Sequence, residues 1–134
     1  MIKQDRMRKQ VIFALSTLVM IFSGCSTKQT ALLLNDVESY IMERPDSALV
    51  VLDSIDRGLL TTDRLKAHHA LLHAMALDKN FIDVTDDSLA SVALSYYSRK
   101  GSEMYEARAQ YYLGLSYYYA GDYNKAILEF TKAE

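Results

Sequence analysis

The residues best equipped for chemistry in this chain are three histidines, a loop of acids and one cysteine. His69 and His73 stand one helical turn apart, the spacing at which two imidazoles can share a zinc ion, and His68 lies beside them. No His-Glu-x-x-His pattern accompanies them, and no third ligand stands at a matching spacing. They are expected at surface or part-buried helix positions. The loop from Asp78 to Asp83 offers carboxylates but lacks the glycine and the closing glutamate of a calcium-binding loop. Asp83, Asp86 and Asp87 suit the start of the next helix, where unpaired N–H groups attract negative charge. No serine, histidine and acid occur in a nucleophile motif, and no glycine-rich loop could hold phosphate. The expectation is a non-catalytic protein, with no catalytic residue, metal or cofactor assigned.

Cys25 has a more specific setting. Lys3, Arg6, Arg8 and Lys9 precede an apolar run from Val11 to Phe22, followed by Ser23 and Gly24. The run of 12 residues is short for a membrane-spanning helix, which needs about 20. It reads as a secretory signal, residues 1–24, removed from the mature chain. Phe22-Ser23-Gly24-Cys25 resembles a bacterial lipobox, with Phe22 where leucine is usual. The resemblance implies cleavage before Cys25 and a diacylglyceryl group on its sulfur. Ser26, in place of an aspartate, and the absence of an acidic run over residues 26–30 imply an outer-membrane lipoprotein facing the periplasm.

Composition narrows the rest. The 134 residues suffice for one domain, half are apolar, and one proline and five glycines leave little turn punctuation. Helical spacing dominates and strand alternation is nearly absent. One cysteine excludes an internal disulfide framework and a cysteine-based zinc site. Net charge is −2, and loss of the signal leaves −5, against a basic nucleic-acid-binding face.

Six helices in three hairpins are expected after a polar tether at residues 25–30. The first covers about 30–43, with Leu33, Leu34, Val37, Tyr40 and Ile41 on one apolar face. Pro45 opens the second, which buries Ala48, Leu49, Leu52 and Ile55 and ends at Gly58. Thr61 to Asp63 open the third, with Leu65, Leu72, Met75 and Ala76 inward. Asp86, Asp87 and Ser88 open the fourth, which buries Leu89, Val92, Ala93 and Tyr96 and ends at Gly101. Ser102 caps the fifth, Gly121 ends it and Asp122 opens the sixth. Asp46-Ser47 and Asp87-Ser88 open comparable helices 41 residues apart, and Asn124-Lys125 takes that place 37 further on. A period near 40 indicates degenerate repeats. The sixth helix carries no stop signal, so the domain at 31–134 is expected to be incomplete at its C-terminus.

The last hairpin resembles the tetratricopeptide repeat. Leu113-Gly114 matches its paired large and small residues, and Tyr117 its aromatic. Gly121 to Tyr123 matches the turn, and Ala126, Phe130 and Ala133 match the small-large-small series of the second helix. Gln110 departs from the pattern, which favours tryptophan there. Physical reasoning agrees: Gly114 costs about 1 kcal/mol in a helix interior and is kept where a partner helix approaches closely. The stretches Arg44 to Leu52, Leu77 to Asp83, Asp87 to Leu89, Gly101, and Tyr111 to Gly114 resemble the N-terminal part of tetratricopeptide lipoproteins common in Bacteroides-type bacteria.

The resemblance implies an all-α solenoid of stacked antiparallel hairpins whose first helices line a groove. On this chain the groove residues would be Arg108, Tyr111, Leu115, Tyr118 and Tyr119. Nine of the ten tyrosines lie between Tyr96 and Tyr123, where they can serve a partner or a neighbouring repeat. The expected function is a lipid-anchored module that holds a protein or peptide partner at the cell envelope, with no nucleic acid. Two alternatives stand beside it. One is the periplasmic sensing part of a membrane-associated transcriptional regulator. The other is an accessory region of an envelope hydrolase or carbohydrate-processing enzyme whose catalytic residues lie elsewhere.

Overall fold

The computed structural model describes residues 26–134. The expected signal at residues 1–24 and Cys25 lie outside the described residues. Within them the chain is all-α, with no strand. Helix α1 spans 26–40, α2 Pro45–Ser54, α3 Asp63–Lys79, α4 Ser88–Tyr97, α5 Glu103–Tyr119 and α6 Tyr123–Lys132. Successive helices from α2 to α6 pack on one another, and α3 also touches α5. One core runs through the stack from Leu34 and Val37 of α1, and Ile41 just after it, to Ala109, Tyr112 and Leu113 of α5.

Local chemistry explains most boundaries. Pro45 occupies the first turn of α2, where a missing N–H costs nothing. The hydroxyls of Thr62 and Ser102 accept from the amides of Leu65 and Tyr105, and the Asp122 carboxylate accepts from Lys125 N–H. Gly121 ends α5 at φ +81°, with Asp122 N–H bonded back to Tyr117 O at 2.9 Å. That left-handed residue lets the chain reverse into α6. The end of α3 is built the same way, with Ile82 N–H on Leu77 O at 3.0 Å. There the left-handed position holds Phe81, at φ 59°.

Several expected boundaries differ. Residues 26–30, read as a tether, are helical; Thr30 is buried and its hydroxyl donates to Ser26 O. Helix α1 stops at residue 40, and Leu33 faces solvent. Gly58 does not end α2. That helix stops at Ser54, and Gly58 lies in a 3-10 turn whose amide donates to Asp56 Oδ1 at 2.8 Å. Gly101 lies four residues beyond the end of α4. The inner face of α4 is Ala90, Ala93 and Tyr97, so Val92, expected inside, is 47% exposed. A short helix with apolar residues on most sides offers several stripes, and packing selects the one with small residues.

In the last hairpin α5 and α6 approach closely at Gly114. A Cβ on Gly114 would lie 2.7 Å from two ring carbons of Phe130 and 3.3 Å from Ala126 O. Leu113, Gly114 and Ala126 are buried, and Tyr117, Phe130 and Ala133 are half-buried. Gln110 is buried too; its amide donates to the buried Glu129 carboxylate, which also receives Lys132 Nζ at 3.0 Å. An amide–carboxylate pair thus fills the place of the expected aromatic.

Candidate functional site

Helices α1, α3 and α5 share a face of the stack, and a polar cluster joins them. Its centre is Glu38, on the apolar side of α1 between Leu34, Val37 and Ile41. The Tyr105 hydroxyl reaches both Glu38 oxygens, at 2.9 and 3.1 Å, and an Arg108 guanidinium nitrogen donates to Oε1 at 3.2 Å. His68 Nε2 lies 3.4 Å from Glu38 Oε2, and its Nδ1 is 3.1 Å from the Tyr97 hydroxyl. The Tyr97 and Tyr105 rings stack at 5.0 Å. Three helices thereby meet at one carboxylate, which Tyr105 and Arg108 bond directly, and α4 joins them through Tyr97 on His68.

The environment fixes protonation. Burial lowers the His68 pKa, Glu38 opposes that shift, and Arg64 adds to it. Burial raises Tyr97, with nearby tyrosines and Glu38 acting in the same direction. Tyr105 is likewise raised, by burial first and then by its bond to Glu38. Burial thus favours the neutral forms of His68, Tyr97 and Tyr105 around the Glu38–Arg108 ion pair.

Beside the cluster opens a cleft of about 750 Å³. Its apolar lining comes from Met42 in the turn after α1, Met75 of α3, Met104 and Tyr111 of α5, and Phe130 of α6. Met42 is 63% exposed, Met104 50% and Tyr111 44%. All three methionines among the described residues face this one space. Methionine is flexible and polarizable, so such a surface adapts to apolar groups of varied shape. Lys79, Arg108, Glu38 and Glu134 supply its charge.

The five sequence-assigned groove residues divide. Arg108 and Tyr111 line the cleft. Leu115 and Tyr119 instead border a tight space beneath the loop at 82–86, against Ala74, Ile82 and Leu89. Tyr118 packs edge-on against Tyr123 of α6. The split follows from the packing of α5 against α3, α4 and α6, which distributes its residues among different neighbours. Glu38, Met42, Met104 and His68 were missed as site residues. A charged residue inside the apolar stripe of α1 was the available signal for Glu38.

His68 is buried rather than at the surface or half-buried. His69 and His73 are half-buried, and their nitrogens meet Leu52 O at 3.0 Å and Asp53 Oδ1 at 2.9 Å. Of the acids near α4, Asp86 accepts from Ser88 N–H at 2.8 Å, and hydrogen bonding to the Ser88 side chain first, then to its backbone, lowers the Asp86 pKa. Asp87 accepts from the Tyr117 hydroxyl at 3.2 Å. Among the described residues, no three His, Cys, Asp or Glu side chains gather around a possible metal position, and no helix is long and apolar enough to cross a membrane. No family model, curated protein or solved structure matches the chain.

Proposed function

We propose that this chain is a lipid-anchored helical-repeat module of tetratricopeptide type that binds a protein or peptide partner at the bacterial cell envelope. The observation that carries the reading is the cleft between the first helices of the three hairpins, with Met42, Met104 and Tyr111 held half-exposed at its wall. Apolar side chains of a partner would leave water against these groups, and burial at about 25 cal/mol per Å² would supply the affinity. Aromatic and methionine anchors of this kind concentrate binding energy at interface centres. The Glu38 cluster would hold the three helices in register so that the cleft is preformed, which lowers the ordering cost of binding. Anchoring would act through diacylglyceryl on Cys25, in an outer-membrane lipoprotein facing the periplasm.

The test uses a photo-crosslinking residue placed in the full chain, in native cells, at position 104, 111 or 118. Positions 104 and 111 should each yield one discrete protein adduct, lost when Met42→Asp puts a charge in the cleft. Position 118, outside the cleft, should yield none. Equal adducts at all three positions, or none at 104 and 111, would refute the groove.

A further inference from the structure

A second cavity, of about 380 Å³, lies on the other side of the Glu38 cluster. It opens between α1, the start of α3, the end of α4 and the start of α5. Its walls are Tyr96, Tyr97 and Tyr105, with His68 between them. The ionised side chains lining it are Arg64 and Lys100, and no acid lines it. We infer that this cavity binds a small organic anion, one ring bearing a carboxylate or a phosphate.

Three independent features lead to that ligand. The first is unspent positive charge. Neither Arg64 nor Lys100 has an ion-pair partner among the described residues, although the chain as a whole is acidic. Positions 67 and 68, the helical neighbours of Arg64 on α3, are Ala and His, so no acid can answer it along that helix. The neighbouring Asp63 pairs with Lys66 instead. Glu38, the nearest carboxylate behind the wall, is occupied by Tyr105 and Arg108. Glu103 and Glu106 stand on the first turn of α5 but do not line the cavity.

The second feature is His68. It is about nine-tenths buried, and its Nε2 makes no hydrogen bond. That buried atom lies 3.4 Å from Glu38 Oε2, so the wall behind the cavity holds a polar atom without a hydrogen bond. The third is shape and surface. The volume falls in the range of small-molecule sites, and the tyrosines present apolar rings with hydroxyl tips. Gly101 and Ser102 place the N-terminal turn of the 17-residue α5 at the rim, where backbone N–H groups favour negative charge. A ring would lie against the tyrosines while its anionic group meets Arg64, Lys100 and that turn.

The experiment is calorimetric titration of the full chain in detergent with phenyl phosphate, phenylacetate and the uncharged phenylacetamide. The two anions should bind saturably, with affinity falling as salt rises, and phenylacetamide should bind at least tenfold more weakly. Arg64→Gln and Lys100→Gln should each weaken the anions about fivefold, roughly 1 kcal/mol for a part-exposed charge contact. Tyr111→Ala, in the other cleft, should leave them unchanged, which separates this cavity from the protein-binding reading. Both cations are exposed, so the substitutions should leave the circular dichroism spectrum intact, and the salt dependence of the unmodified protein provides a measure that needs no variant. Absence of saturable binding, equal binding of the amide, or full binding by the Arg64→Gln, Lys100→Gln double variant would overturn the inference.

Discussion

Replacing Gly114 by alanine tests the packing logic of the last hairpin, because two effects of opposite sign meet at one atom. Alanine favours helix over glycine by about 1 kcal/mol in a helix interior. Its Cβ, however, would stand 2.7 Å from Cδ1 and Cε1 of Phe130 and 3.3 Å from the carbonyl oxygen of Ala126. Ordinary carbon contacts begin near 3.5 Å, so the ring must move by most of an ångström or α6 must shift. Overpacking of this size costs about 1–3 kcal/mol. The net expectation is destabilisation of up to about 2 kcal/mol, several degrees in Tm for a domain of this length. The decisive measurement is a double-mutant cycle by urea unfolding, followed by far-UV circular dichroism. In a Phe130→Ala background the ring is gone, and Gly114→Ala should become neutral or stabilising. The coupling between the two sites should therefore be at least about 1 kcal/mol. Effects that add to within about 0.5 kcal/mol, or a Gly114→Ala protein more stable than the parent, would refute the close-approach account.

Burial lowers the pKa of His68 and of His73, so the fold resists protonating either imidazole. The unfolded chain takes up those protons near the ordinary value of 6.5, so stability should hold above it and fall as pH drops below it. His68→Asn keeps a partner for Tyr97 and should flatten that decline; an unchanged profile of Tm against pH would remove His68 from the explanation. Glu129→Leu leaves the Gln110 amide buried without its acceptor and should cost about 1–3 kcal/mol, read by the same unfolding assay. Phe81→Gly should raise stability by about 1 kcal/mol, since the ring is 95% exposed and its backbone sits at φ 59°, where L-residues are penalised. A loss of stability would show that Phe81 contributes packing.

Much of the fold was legible because its signals are local. Proline in a first turn, hydroxyl or carboxylate caps, and Gly121 each act within four residues, and the structure uses them where the sequence places them. The failures have a common cause. Gly58 and Gly101 look like helix terminators by composition, yet the neighbouring chain stops earlier for reasons of packing. Val92 and Tyr96 lost the interior to Ala90, Ala93 and Tyr97 because the choice among apolar stripes on α4 depends on what α3 and α5 present. The site was less legible still. Arg108 and Tyr111, two of the five expected groove residues, line the cleft, but Glu38 gathers its partners from residues 68, 105 and 108. No spacing rule within one helix encodes a contact across 67 residues.

Phe81 and Gly121 connect these two kinds of information. They stand 40 residues apart, end equivalent helices and close the same backbone pattern: Ile82 N–H to Leu77 O, and Asp122 N–H to Tyr117 O. The geometry repeats although the residue does not. Glycine satisfies that position without strain, so a phenylalanine there is held in place by the six-residue reversal around it rather than by its own preference. A repeat whose backbone outlasts its sequence in this way explains why the period near 40 was visible while the individual positions had drifted. It also makes the cost measurable: the stability gained by Phe81→Gly, set against the stability lost by Gly121→Phe, should show both sites paying a similar left-handed penalty of about 1–2 kcal/mol. Unequal penalties would mean that the two helix ends are held by different forces despite their shared geometry.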